Sequence, residues 1–205
     1  MGSPEPRTVV TLARRRVVEQ EIKRSRFIAV ALRADDAQAA LDGLAEVRDP
    51  SATHNCWAYR VGDAYRFSDD GEPAGTAGRP ILSAIEGQGV DRVMVVVARH
   101  FGGVKLGAGG LVRAYGGTAA ECLRTAKRVE LRPRARLRVA IDFGDVGALY
   151  PLAERAGAVK LAERYDENGV IVELELDAAA ADALESGLRN ATRGNARIER
   201  SEEAP

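Results

Sequence analysis

The chain has 205 residues, 45% of them hydrophobic, with 30 Lys+Arg balancing 30 Asp+Glu. That is enough for one large or two small domains. A net charge of zero excludes a protein that seeks polyanions with its whole surface. No segment approaches the ~20 apolar residues that cross a bilayer, no signal-peptide core follows the polar start, and two cysteines make no disulfide framework. The expectation is a reducing, cytoplasmic setting with no membrane partner.

Residues 1–7 read as a disordered tail. Two strands follow, at 11–19 and 22–32; Arg14, Arg15 and Arg16 can form a nucleic-acid patch or simply a solvated strand edge. Asp35 or Asp36 caps a helix that runs to about 47, with Ala39, Ala40, Leu41, Leu44 and Ala45 on its apolar side. Strands at 53–61 and 64–68 lead into an acidic loop and a helix over 76–86. The unbroken apolar run at 93–98 reads as a buried strand over 92–98. After a glycine-rich turn, residues 111–127 are rich in Ala, Leu and Arg and read as a helix.

Arg132-Pro133-Arg134 looks like a linker between domains at 8–132 and 135–201. Beyond it the pattern runs strand 137–143, helix 145–156, strand 158–165, strand 169–176, helix 178–192, strand 195–200. Asn168-Gly169 gives the strand–strand connection strong hairpin chemistry. This order is the ferredoxin-like split βαβ plan, and the fold class as a whole is α+β. The second domain is poor in Gly loops, His and Cys and shows no catalytic constellation. Its work is either to bind protein or RNA through an open sheet face, or to stabilise the first domain. Through Pro133 there are 20 basic against 16 acidic residues, a net of +4, and beyond it 10 against 14, a net of −4. Nucleic-acid contact therefore belongs to the N-terminal half.

Three stretches of the first domain carry chemistry. The first is 99–117, where Gly102, Gly103, Gly107, Gly109 and Gly110 surround one charged side chain, Lys105. A strand, glycine turn and helix aim backbone N–H groups and a positive helix end at one point, which suits a phosphate. The turn fits neither the Walker nor the dinucleotide fingerprint. The competing reading is that the glycines serve positive φ angles and tight packing alone. Phosphate-binding candidates are Arg99, His100, Gly102, Gly103, Lys105, Gly107, Gly109, Gly110 and Arg113.

The second stretch, 68–80, places Asp69, Asp70 and Glu72 within four residues. A fold keeps three such carboxylates together only with a cation, a hydrogen-bond network or full solvation; Asp-Asp-Gly-Glu-Pro is also ordinary turn chemistry. Thr76 is the candidate cap of the next helix, and Arg79 lies in its first turn. In the third stretch, strand alternation puts His54, Cys56, Ala58 and Arg60 on one face and Thr53, Asn55, Trp57 and Tyr59 on the other. His54 and Cys56 can share a metal, but only His100 and Cys122 remain as further ligands of that kind, so no metal site is expected. Cys122 reads as a buried apolar residue. A nucleophilic Cys56 would find its better partner in His100.

Lys23–Ala29, Ala52–Tyr59, Ser68–Pro80 and Ala98–Tyr115 together resemble the YigZ/IMPACT family in order and spacing, across roughly the first 130 residues. The resemblance implies an N-terminal left-handed β-α-β domain, shared with a small-subunit ribosomal protein, elongation factor G and the GHMP kinases. It also implies a ferredoxin-like C-terminal domain like the last domain of elongation factor G. Eukaryotic members regulate translation by competing for the activator of a starvation-sensing kinase.

Three functions compete. The first is a non-enzymatic translation factor that binds RNA, the ribosome or another phosphate-bearing ligand, with Lys23, Arg24, Arg26 and Arg79 extending the surface. The second is a regulatory adaptor for a translation-control protein. The third is an enzyme on a phosphorylated small molecule or nucleotide, with Asp69, Asp70 or Glu72 bringing Mg²⁺ or acting as base. No cofactor is called for beyond Mg²⁺ accompanying a phosphate ligand. The acidic and glycine-rich loops are predicted to meet in one site around His54, Asp70, His100 and Lys105.

Overall fold

A computed structural model describes residues 8–203; the expected tail at 1–7 lies outside them. The elements in chain order are β1 (Val9–Leu12), β2 (Arg16–Ile22), β3 (Ser25–Arg33), α1 (Ala37–Val47), β4 (His54–Val61), β5 (Ala64–Ser68), α2 (Gly78–Gly87), β6 (Val93–His100), α3 (Ala108–Arg124) and β7 (Arg128–Leu131). Then come β8 (Arg134–Asp142), α4 (Val146–Arg155), β9 (Val159–Tyr165), β10 (Gly169–Asp177), α5 (Ala178–Ala191) and β11 (Arg197–Glu203). The chain divides into two compact units, Val9–Glu130 and a second from Leu131 onward.

The first unit is built on a five-stranded sheet of order β2-β3-β6-β4-β5 with antiparallel neighbours. β6 lies at its centre and is apolar almost throughout because both of its faces are covered. Period-two alternation then sorts the strand residues. Phe27, Ala29, Cys56, Ala58, Val93, Val95 and Val97 form one core with Ile81, Leu82 and Ile85 of α2 and Tyr115, Ala119 and Leu123 of α3. Tyr59, Met94 and Val96 pack the opposite face with Ala40 of α1, joined by partly buried Leu44 and Trp57. The Asp36 carboxylate accepts from the N–H of Ala39 and so starts α1. β1 pairs with β7 in a two-stranded sheet, which the sequence pattern did not foreshadow.

The second unit is a four-stranded antiparallel sheet of order β11-β8-β10-β9. Leu137, Val139, Ile141, Val170, Val172, Leu174 and Leu176 pack one sheet face against Leu149 of α4 and Leu184 and Leu188 of α5. At the β9–β10 turn the Asp166 carboxylate accepts from the N–H groups of Asn168 and Gly169, and these bonds hold its pKa below the usual aspartate value. The other sheet face is a ladder of matched charges: Arg138–Glu199 at 3.1 Å, Arg134–Glu175 at 3.3 Å, Arg136–Glu175 at 3.6 Å and Arg164–Glu173 at 3.8 Å. Exposed pairs of this kind are worth ~0–1 kcal/mol each, and their matched signs leave the face little net field for a polyanion.

Candidate functional site

The acidic loop solves its own electrostatics by sending each carboxylate to a different set of donors. Asp69 accepts from the N–H groups of Gly75, Ala77 and Gly78 at 2.8–3.0 Å and caps α2 from nine residues upstream of its start. Thr76, expected as that cap, instead donates its hydroxyl to the Pro73 carbonyl at 2.6 Å. The cap comes from Asp69 because its carboxylate reaches the orphan N–H groups that a helix end exposes. Asp70 accepts from the Asn55 N–H at 2.6 Å, with its own φ at +42°. Each of the three carboxylates is thus held in a hydrogen-bond network. Among the described residues no group of three or more His, Cys, Asp or Glu side chains gathers as a metal cluster.

Glu72 goes inward. Its Oε1 accepts from Arg99 Nη1 at 2.6 Å and from the Tyr115 hydroxyl at 2.8 Å, with the Glu72 and Arg99 side chains only 4% and 7% exposed. Arg99 lies 5.6 Å from the Phe27 ring and 5.3 Å from the Phe101 ring, and Phe27 meets Tyr115 edge-on at 5.2 Å. His54 is opposite Arg99 in the β4–β6 register and therefore shares its face. Its Nδ1 sits 2.7 Å from the Asp70 carbonyl. A carbonyl only accepts, so Nδ1 carries a proton, and Nε2 lies 4.0 Å from Glu72. The Gly71 backbone packs on this ring; a Cβ there would lie 3.3 Å from Nδ1.

His100 belongs elsewhere. It is the next residue along the strand, so its side chain leaves from the opposite face, where Nε2 meets the Asp49 carboxylate at 3.0 Å. Asn55 shares that face, bonded to the backbone of Asp49. Ser51, donating through hydroxyl and backbone, and then His100 hold the Asp49 carboxyl below its ordinary pKa. The predicted site is therefore corrected: His54 and Lys105 are brought together, and His100 is not among them. Nor is His100 a partner for Cys56, whose thiol donates to the Asp69 carbonyl at 3.0 Å. Burial pushes the Cys56 pKa up to about 12 and that of Cys122, in the middle of α3, to about 11. Desolvation also raises that of Tyr115.

The glycine-rich turn completes the site. Gly102 crosses the β2–β3 hairpin so closely that a Cβ would lie 1.9 Å from the Arg24 carbonyl oxygen, and its N–H donates to Ser25. Gly103 turns at φ +82°. Gly107, at φ +74°, is the N-cap of α3, and no side chain caps that helix end. Gly109 and Gly110 fall in the first turn of α3. The acidic and glycine-rich loops meet: Thr53, His54, Glu72, Pro73, Arg99, Phe101, Lys105, Leu106, Gly107, Ala108 and Leu111 line one cavity of about 370 Å³. Arg79 and Arg113 line a separate, more open groove of about 530 Å³ with Gly75 and Val112. The two openings flank the same segments, Pro73 and Leu111 on one side, Gly75 and Val112 on the other. Arg26 points away, on the His100 face, and pairs with Glu19 at 2.8 Å. Phe101, Tyr115, Ser25 and Thr53 were not singled out in the sequence. Tyr115 lies four residues beyond Leu111, the helical spacing of a shared buried face.

These features define an α+β protein whose first unit holds a cavity between an acidic loop and a helix N-terminus. Residues 23–123 match the Impact N-terminal domain, and residues 139–195 match a domain of unknown function, DUF1949. An IMPACT family member from Thermus thermophilus is 53% identical over 76% of this chain and 86% of its own. The Escherichia coli family member YigZ is 34% identical over 88% of this chain and 92% of its own. A crystal structure titled only as that of a hypothetical protein superposes with a TM-score of 0.66 at 33% identity, covering 93% and 96% of the two chains. The chain belongs to the IMPACT family.

Two outcomes follow from this site. Replacing Glu72 by Ala leaves the Arg99 guanidinium buried without its partner and is expected to destabilise the chain by about 3–5 kcal/mol in urea titration; a loss below 1 kcal/mol would contradict the buried pair. Cys56 and Cys122 are expected to resist a thiol reagent at pH 8 in the native state and both to react after denaturation. Their pKa values are higher folded than unfolded, so the unfolded chain releases protons first as pH rises above 9. Their contribution to stability is full below pH 9 and falls between pH 9 and about 12. Stoichiometric labelling of the native protein would contradict this.

Proposed function

We propose that the chain is a non-enzymatic regulator associated with translation, and that it binds RNA, the ribosome or another phosphate-bearing ligand through the first unit's cavity. The observation that carries the reading is the uncapped N-terminus of α3 opening into a cavity that also holds Lys105 and Arg99. The first N–H groups of a helix lack intrahelical acceptors, and the helix dipole favours an anion there. Lys105 supplies a full positive charge beside them. The groove with Arg79 and Arg113 would let a longer polyanion continue past the same loop.

Family membership supports the link to translation. The element order of the second unit and its strand order β11-β8-β10-β9 support the ferredoxin-like reading. For the first unit we carry forward the left-handed β-α-β reading from the family resemblance. The carboxylates that an enzyme reading would use are held by backbone N–H groups, Arg99 and Tyr115. A regulatory adaptor is the second reading; the charge chemistry of the cavity favours the phosphate-bearing ligand over it.

The test is fluorescence anisotropy of a structured RNA against the intact protein. Each phosphate contact adds close to one unit to the log–log salt slope, so three contacts lose on the order of tens-fold in affinity between 50 and 200 mM salt. Lys105→Ala is expected to weaken binding several-fold and flatten that slope. Affinity that is flat with salt, or unchanged in the variant, would overturn the reading.

A further inference from the structure

The walls of the cavity are wrong for a bare phosphate. Pro73, Phe101, Leu106, Ala108 and Leu111 make them largely apolar, while the polar groups gather at two places. One is the α3 N-terminus with Lys105. The other is the buried floor of Glu72, Arg99 and His54. An apolar body with a few fixed polar contacts is the pattern of a small-molecule pocket.

Two groups on that floor have hydrogen-bonding capacity left over among the described residues. Arg99, more than nine-tenths buried, has no hydrogen-bond partner for Nε. Both hydrogen bonds that Glu72 accepts fall on Oε1, leaving Oε2 to accept from solvent or from a ligand. At the rim Phe101 is 48% exposed, and its ring is held against the Arg99 guanidinium, beside the cavity it lines. Nucleobases stack on exposed aromatic rings whatever their sequence, because every base offers a π face.

We infer that the cavity takes one phosphorylated nucleotide: its phosphate at the α3 N-terminus and Lys105, its base against Phe101, and a base N–H donating to Glu72 Oε2. This rests on the phosphate-binding reading above and adds the base. The chemistry is shared by a free nucleotide and the 5′-phosphorylated end of an RNA.

Calorimetric titration of the intact protein with GMP, ribose 5-phosphate and inorganic phosphate separates the parts. GMP is expected to bind at least tenfold tighter than ribose 5-phosphate, and Phe101→Ala to erase that difference while leaving ribose 5-phosphate binding unchanged. Since Phe101 is half exposed, an unchanged melting temperature of the variant confirms that the fold is intact. Equal affinity for GMP and ribose 5-phosphate would overturn the base site while leaving phosphate binding in place. No binding of any of the three, together with salt-independent RNA binding, would overturn both. A 5′-phosphorylated hexanucleotide that binds as tightly as GMP, with its 5′-hydroxyl form weaker, assigns the site to RNA ends; GMP binding alone assigns it to free nucleotides.

Discussion

The ion pair between Glu72 and Arg99 is the constraint around which the first unit is arranged. A charged pair this deep is tolerable only when both partners are present and further bonded, because each ion has given up its hydration. Tyr115 supplies one further bond, and Phe27 and Phe101 flank the guanidinium. For Glu72 to reach Arg99 the acidic loop must fold down onto the end of β6. Asp69 then caps α2 and Asp70 closes on β4, through the Asn55 N–H and the His54 ring. The acidic loop, the start of α2 and the middle of α3 are thereby tied to adjacent ends of β4 and β6. The cavity is the space left beside the pair.

Much of this was legible in the sequence. The apolar run at 93–98 reads as a buried strand, and the alternation of 53–60 placed His54 and Cys56 together and Asn55 opposite, as found. The same rule separates Arg99 from His100, adjacent residues on one strand that cannot share a site; grouping them by chemistry overrode the pleat. The cap of α2 was not legible, because Asp69 lies far from the helix start in sequence and only the closed loop brings it there. Ser25 and Thr53 were hidden for the same reason. Each bonds a backbone N–H of the glycine turn, 77 and 48 residues away in the chain. Phe101 carried a signal in principle, a large aromatic directly before two glycines, yet its exposure is decided by the turn and not by periodicity.

The two units divide the work differently. Every residue singled out for phosphate chemistry lies in the first, where loops converge on the sheet's end. The second is a sheet covered on one face by two helices and finished on the other by a self-neutralising ladder of arginines and glutamates. An arginine count on that face suggests a polyanion surface, but pairing removes most of its field.

The central claim is that the helix end at 107–110 is the anion-binding point. Backbone ¹⁵N–¹H correlation spectra recorded while GMP is added test it most directly. Displacements concentrated at the amides of Ala108, Gly109 and Gly110, with those of β8 to β11 unmoved, are the predicted result. Displacements confined to the second unit, or none at any concentration that binds, would contradict it.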